Sequence, residues 1–275
     1  MSRLPRLIAG LGIAGALLVG CGGSAKHDTV SMTPTQIVLA AQSATEKAGT
    51  AKLALSVETS VEGGESLTLT GSGAFDFAKR VGTMHSSFPN PSGGELAIDM
   101  VLTEATIYLK SDAFAAFAGK PWISVDLKTA LGGNFSQLGT SDPSQGLAFL
   151  QGAKEVTLVG KEDVRGVSSS HYRATIDLGA ALTKLSGGAK EAATKLEGVV
   201  EDAHALPIDV WVDGQNRVTR TVMTMRTKPT AATEGKATTS KVSTELYDYG
   251  TPLTVTIPPA DQVADGSKIL GGSQG

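Results

Sequence analysis

The sequence predicts an α+β fold: one curved antiparallel sheet of about ten strands with helices against one face. Three observations lead there. Between Ala51 and Ile257, apolar residues alternate with polar ones in segment after segment, the period of a half-buried strand. Clusters of Gly, Pro, Asn and Ser separate these segments mostly at hairpin distances. Helical spacing is confined to one segment ahead of the strands and to a few late insertions.

An export signal comes first. Arg3 and Arg6 form a basic start, Leu7 to Leu18 an apolar run, and Leu18-Val19-Gly20-Cys21 closes it in the pattern of a bacterial lipoprotein signal. At 1.5 Å per residue this run is too short to cross a hydrocarbon layer about 30 Å thick. An ordinary secretory signal with a cysteine near its end is the alternative. Cys21 is the single cysteine and has no disulfide partner in the chain. Residues 1–20 are therefore expected to be a cleaved signal peptide. Cys21 is expected to carry a diacylglyceryl group and to hold the chain on the extracytoplasmic face of the cell membrane. Residues 21–33 are small and polar without a period and read as a flexible tether. Residues 34–257 are expected to form one domain and 258–275, rich in Gly, Ser and Asp, a disordered tail.

Composition narrows the function. Hydrophobic residues make up 41% of the chain and aromatics 5%, so the core is expected to be mostly Leu, Val, Ile and Ala. Without residues 1–20 the chain holds 22 basic and 27 acidic residues, a formal charge of −5. No basic run exists to follow a phosphate backbone, which argues against nucleic acid as a partner.

Thr33-Pro34 supplies an N-cap and first helical residue, and Gly49 a stop. Between them Ile37, Val38, Ala41, Ala44 and Ala48 share one narrow helical face. From Ala51 the period becomes two, with Leu53, Leu55 and Val57 on one side, and Gly63-Gly64 is a turn. Further strands are expected over Ser66–Thr70, Gly73–Phe77, Val81–Ser87, Glu95–Leu102 and Ala105–Lys110. In Glu95–Leu102 the apolar face is Leu96, Ile98, Met100 and Leu102. Asp112–Ala118 is a candidate short helix, Pro121–Val125 extended, and Asp142-Pro143 opens a second short helix bearing Leu147, Phe149 and Leu150. Strands follow over Glu155–Val159 and Ser169–Leu178, and Ala180 to Ala203 is helical, broken at Gly187-Gly188. Leu206 to Asp213 alternates strictly, with Leu206, Ile208, Val210 and Val212 on one face and Pro207, Asp209, Trp211 and Asp213 on the other. Asp213-Gly214-Gln215-Asn216 is a turn. Strands Arg217–Lys228 and Gly235–Tyr249 follow, and Thr251–Ile257 ends the sheet.

The lipobox, the Pro-capped helix, the meander and the hairpin Leu206-Pro207-Ile208-Asp209-Val210-Trp211-Val212-Asp213-Gly214 together resemble the actinobacterial LppX/LprAFG lipoproteins, from about Thr33 to Ile257. The resemblance implies a LolA-like fold, a strongly curved antiparallel half-barrel whose concave face is covered by helices around an apolar cavity. It also implies binding or shuttling of acylated lipids or glycolipids across the cell envelope. Burying a CH₂ stabilises by about 0.8 kcal/mol, so enclosing one ~16-carbon chain offsets on the order of 10 kcal/mol of exposure to water. On this footing the candidate cavity lining is Leu53, Leu55, Ile98, Met100, Leu102, Ile208, Val210 and Val212; the same residues suit a close-packed core. An envelope sensor or scaffold that binds another protein is the alternative.

No catalytic chemistry is legible. His27, His85, His171 and His204 have neither H-x-x-x-H nor Cys/His spacing, so no metal and no cofactor is expected. Ser168-Ser169-Ser170-His171 lacks a G-x-S-x-G elbow, and Gly71-Ser72-Gly73 lacks the third glycine and helix of a nucleotide loop. Asp209 and Asp213 lie on one strand face, where solvated charge is the ordinary role, and Trp211 reads as sheet-face packing. Asn134-Phe135-Ser136 matches a glycosylation sequon that a bacterial lipoprotein rarely uses. The chain is expected not to be an enzyme.

Overall fold

The computed structural model describes residues 32–126 and 143–266, apart from 65, 91, 92, 231 and 232. The signal segment, Cys21, most of the tether, Asn134-Phe135-Ser136 and the end of the tail lie outside the described residues. The rest belongs to one compact unit beginning at Met32.

Helix α1 (Pro34–Lys47) starts with a full capping box: Thr33 Oγ1 accepts from the Gln36 N–H, and Gln36 Oε1 accepts from the Thr33 N–H. Six strands then run as a meander: β1 (Thr50–Val61), β2 (Ser66–Asp76), β3 (Val81–Pro89), β4 (Glu95–Leu102), β5 (Thr106–Lys110) and β6 (Trp122–Asp126), with α2 (Asp112–Ala118) between the last two. Helix α3 (Pro143–Ala148) and a 3₁₀ turn (Phe149–Gly152) lead into a second meander, β7 (Ala153–Val164), β8 (Val167–Ile176), β9 (Leu206–Asp213), β10 (Val218–Thr227) and β11 (Thr238–Tyr247). Helices α4 (Leu178–Leu182) and α5 (Gly187–Val199) are inserted between β8 and β9. The meanders join where β11 pairs antiparallel with β1, from Lys52 opposite Tyr247 to Val61 opposite Thr238. The result is an open sheet of twelve strands in the order β12-β6-β5-β4-β3-β2-β1-β11-β10-β9-β8-β7, with β12 (Val263–Asp265) at one edge.

The sheet has twelve strands where about ten were expected, and the segments Ser66–Thr70 and Gly73–Phe77, expected as separate strands, are one continuous strand, β2. Thr251–Ile257 forms no strand. The tail after Pro258, expected to be disordered, instead makes a 3₁₀ turn (Ala260–Gln262) and then β12, which pairs parallel with β6. Edge strands expose unpaired backbone groups that bind passing chain, and Lys120 Nζ donates to the Val263 carbonyl at 3.0 Å. The strand expected to include Leu178 stops at Ile176, because Asp177 caps α4 by accepting the Ala180 N–H.

Val38 and Ala41 of α1, Phe149 and Leu150 of the 3₁₀ turn, Leu178 of α4 and Ala193 of α5 share one buried cluster with Ile208, Val210 and Val212. The helices thus lie on the apolar face of β9. One buried contact locks α1 to the sheet. The β9–β10 register shifts between Val218 and Arg220, and the Val218 N–H donates to Thr45 Oγ1 at 2.8 Å. That hydroxyl donates in turn to the Ala41 carbonyl at 2.7 Å, and Tyr249 Oη donates to the Val218 carbonyl. At Gly73 the strands β2 and β3 approach so closely that a Cβ would sit 2.0 Å from the Thr83 carbonyl oxygen, a crossing only glycine permits.

Candidate functional site

The register places a wall of side chains on one sheet face, since residues two apart on a strand share a face. A first row crosses six strands, Leu246–Leu53–Gly73–Met84–Met100–Leu109. A second row is Thr221–Thr244–Leu55–Gly71–Ser86–Ile98. A third begins Met223–Val242–Val57–Leu69. Cover falls along these rows. Leu246, Leu53, Met100 and Leu109 are buried, whereas Leu55, Val57, Leu69, Met223 and Val242 are only half-buried, and Leu67 beyond them is 49% exposed. These strands occupy the middle of the sheet, where cover would ordinarily be greatest. The wall is an apolar trough that deepens toward the first row.

At the deep end lies a cavity of about 60 Å³. The sheet contributes Leu53, Leu55 and Met84 from β1 and β3, with Val218, Thr221, Val242, Thr244 and Leu246 from β10 and β11; Pro143, Gly146 and Leu147 of α3 cover it. A second space of about 10 Å³ lies beside it, among Leu53, Phe75, Gly82, Met84, Met100 and Leu102. Small-molecule sites run from about 300 to 1,000 Å³, and a water occupies about 30 Å³ of liquid. The larger cavity is therefore well below the size of a small-molecule site, though large enough for water. Of the residues expected to line a cavity, Leu53 and Leu55 border the larger space, and Met100 and Leu102 the smaller. Ile98 is buried in the core, and Ile208, Val210 and Val212 pack beneath the helices and border neither space. Cys21 lies outside the described residues.

Met84, Thr221, Val242, Thr244, Leu246 and the α3 residues were not anticipated. Alternation in β10 and β11 gives each strand two faces, but nothing local says that β11 lies against β1.

The opposite face of the sheet is polar and internally bonded. His171 on β8 stacks on Trp211 of β9, ring centroids 4.1 Å apart. Its Nδ1 lies 2.8 Å from Glu162 Oε1 on β7 and its Nε2 lies 2.7 Å from Asp209 Oδ1. Trp211 Nε1 donates to the other Glu162 oxygen at 2.9 Å, and the Arg220 guanidinium lies over the indole at 5.0 Å. The hydrogen bonds from Trp211, then from His171, hold the Glu162 carboxyl below its usual value. Asp209 also takes Arg173 Nε at 3.2 Å. Asp213 accepts the N–H groups of Gln215 and Arg217 and the Arg217 side chain, which shapes the turn into β10. Asp177 is likewise held low, first by His204, then by the Ala180 N–H and Lys154. The hydroxyl of Ser169 pairs with Thr219 at 2.8 Å. These groups are committed to one another as structure, across β7 to β10. Among the described residues no group of three or more His, Cys, Asp or Glu side chains stands where it could hold a metal ion.

No protein-family model matches the chain. Among solved structures, LprF from Mycobacterium bovis is similar, at 16% identity and TM-score 0.45, over 82% of this chain and 97% of that one. A Streptomyces coelicolor protein named "Putative lipoprotein" is 27% identical over 84% of this chain and 74% of its own. A Streptomyces griseus protein, described as an uncharacterized 31.2 kDa protein of the rplA–rplJ intergenic region, is 31% identical over 255 residues, which is 85% of this chain and 80% of the relative. With that identity held along nearly its whole length, this chain belongs to the family of the Streptomyces griseus protein.

Proposed function

We propose that this protein is a lipoprotein, anchored through Cys21 on the outer face of the cell membrane, that binds acyl lipids or glycolipids in its apolar trough and shuttles them within the envelope. The observation that carries this reading is the half-covered apolar wall of β1, β2, β10 and β11, which ends at the cavity beneath α3. Leaving such a wall open to water is unfavourable by about 25 cal/mol for each Å² of apolar surface, and an alkyl chain laid along it removes that cost. The lipobox and the lipoprotein description of the Streptomyces coelicolor relative support the anchor.

The cavity is smaller than an alkyl chain, so entry requires the α3 cover to move. Pro143, Gly146 and Leu147 are the α3 residues that border it, and a six-residue helix is a small element to displace. Native mass spectrometry of the anchor-free protein tests the reading. Co-purifying acyl lipid, or uptake from mixed micelles, is the expected result; a protein that stays lipid-free under both conditions refutes it.

The second reading, an envelope scaffold that binds another protein, is favoured by the cavity volume of about 60 Å³. Under it, partner affinity survives filling of the trough.

A further inference from the structure

Two hydroxyls stand in the wrong place for a site that takes only hydrocarbon. Thr221 and Thr244 are directly opposed across β10 and β11, both border the cavity and both are half-buried. Among the described residues neither hydroxyl has a hydrogen-bond partner. Several hydroxyls elsewhere are bonded within the protein, Thr59 to Ser240 at 3.3 Å, Thr45 to Ala41 and Val218, and Ser169 to Thr219; Thr238 Oγ1, further along β11, is buried without a partner but does not border the cavity. The next position on each strand of the same face is apolar, Met223 and Val242. Valine has the shape of threonine and would line the space equally well for a hydrocarbon occupant, without a group that must be desolvated.

We infer that the Thr221–Thr244 pair binds the polar linkage of the ligand, so that the ligand class is an acyl ester, with its carbonyl at the two hydroxyls and its alkyl chain along Leu55, Val57 and Leu69. This rests on the acyl-lipid reading of the same cavity. An alkane laid against the pair strips water from two donors and offers nothing back; an ester carbonyl accepts from them. A site built to hydrogen-bond its ligand rejects the analogue that lacks the acceptor, because its own polar groups are left dry. A preference of about tenfold is the scale one such bond confers.

The test uses the full chain in mild detergent and displacement of a polyene fatty-acid fluorophore. Ethyl palmitate is compared with an alkane of equal length. The wild type is expected to favour the ester by about tenfold or more. In the double variant Thr221→Val and Thr244→Val the preference should fall to near one with alkane affinity unchanged, and Thr244→Ser, which keeps the hydroxyl, should retain it. Equal binding of ester and alkane by the wild type, or a preference that survives in the double variant, overturns this inference and leaves the acyl-lipid reading standing. If neither probe displaces the fluorophore and the fluorophore itself does not bind, the acyl-lipid reading falls and this inference with it.

Discussion

Replacing Thr45 by valine removes one oxygen from the point where α1 meets the sheet. That oxygen is fully buried and accepts the Val218 N–H at 2.8 Å. By strand alternation the N–H points away from β9, and pairing of β10 with β11 begins only at Arg220 opposite Glu245, so no strand carbonyl stands ready to replace the hydroxyl. A buried donor left without an acceptor costs about 1–3 kcal/mol, and the methyl gained in exchange returns somewhat less than ~1 kcal/mol. The Ala41 carbonyl loses only a second, supplementary bond. The expected net loss is about 1 kcal/mol. In urea this moves the unfolding midpoint down by roughly 0.5 M at an unchanged slope, taking a slope of ~2 kcal/mol per M. Thr45→Ser keeps the oxygen and should cost less than half as much. A valine variant with an unshifted midpoint, or a serine variant as damaged as the valine one, would show that the hydroxyl is not what secures α1. Because Val218 also borders the cavity, the valine variant should loosen ligand retention as well.

Gly73→Ala places a methyl 2.0 Å from a backbone oxygen of β3; a loss of roughly 2–4 kcal/mol is expected in the same assay, and a variant as stable as wild type would mean that β2 and β3 separate freely. Leu55→Trp fills the cavity from the sheet side and should abolish lipid uptake in native mass spectrometry while the circular dichroism stays unchanged; undiminished uptake would place the ligand elsewhere. Glu162 has a folded-state pKa held below its unfolded value of about 4.3. Its stabilising contribution is therefore complete above that value and is lost as the pH falls through the folded pKa. Thermal scans of Glu162→Gln against wild type should show a gap that closes in acid, and a constant gap would contradict the assignment. Cys21→Ser should release the protein from membranes into the soluble fraction after cell lysis, and continued membrane association would refute the anchor.

Much of the fold was legible because its signals are local. Thr33-Pro34 and Gln36 form a capping box within four residues, and the alternation from Leu206 to Asp213 places four aliphatics on the buried face. Asp177 could have been read as a cap ending β8, since its side chain reaches only three residues ahead; its carboxylate inside a period-two run hid it. The Thr251–Ile257 segment has the composition of a strand but finds no partner. Val263–Asp265 has little strand character and is ordered by the open edge of β6.

By itself the sequence determined most of the elements, their faces and the position of the Leu18–Cys21 motif, because each depends on residues within a few positions of one another. Tertiary structure alone decided that β11 lies against β1, a pairing between segments nearly the whole domain apart. That pairing sets Leu55 beside Thr244 and Thr244 opposite Thr221, and so creates both the trough and its two unpaired hydroxyls. Whether an apolar face is filled or left partly open depends on which side chains meet across the domain, and packing density is a property of that meeting rather than of any segment.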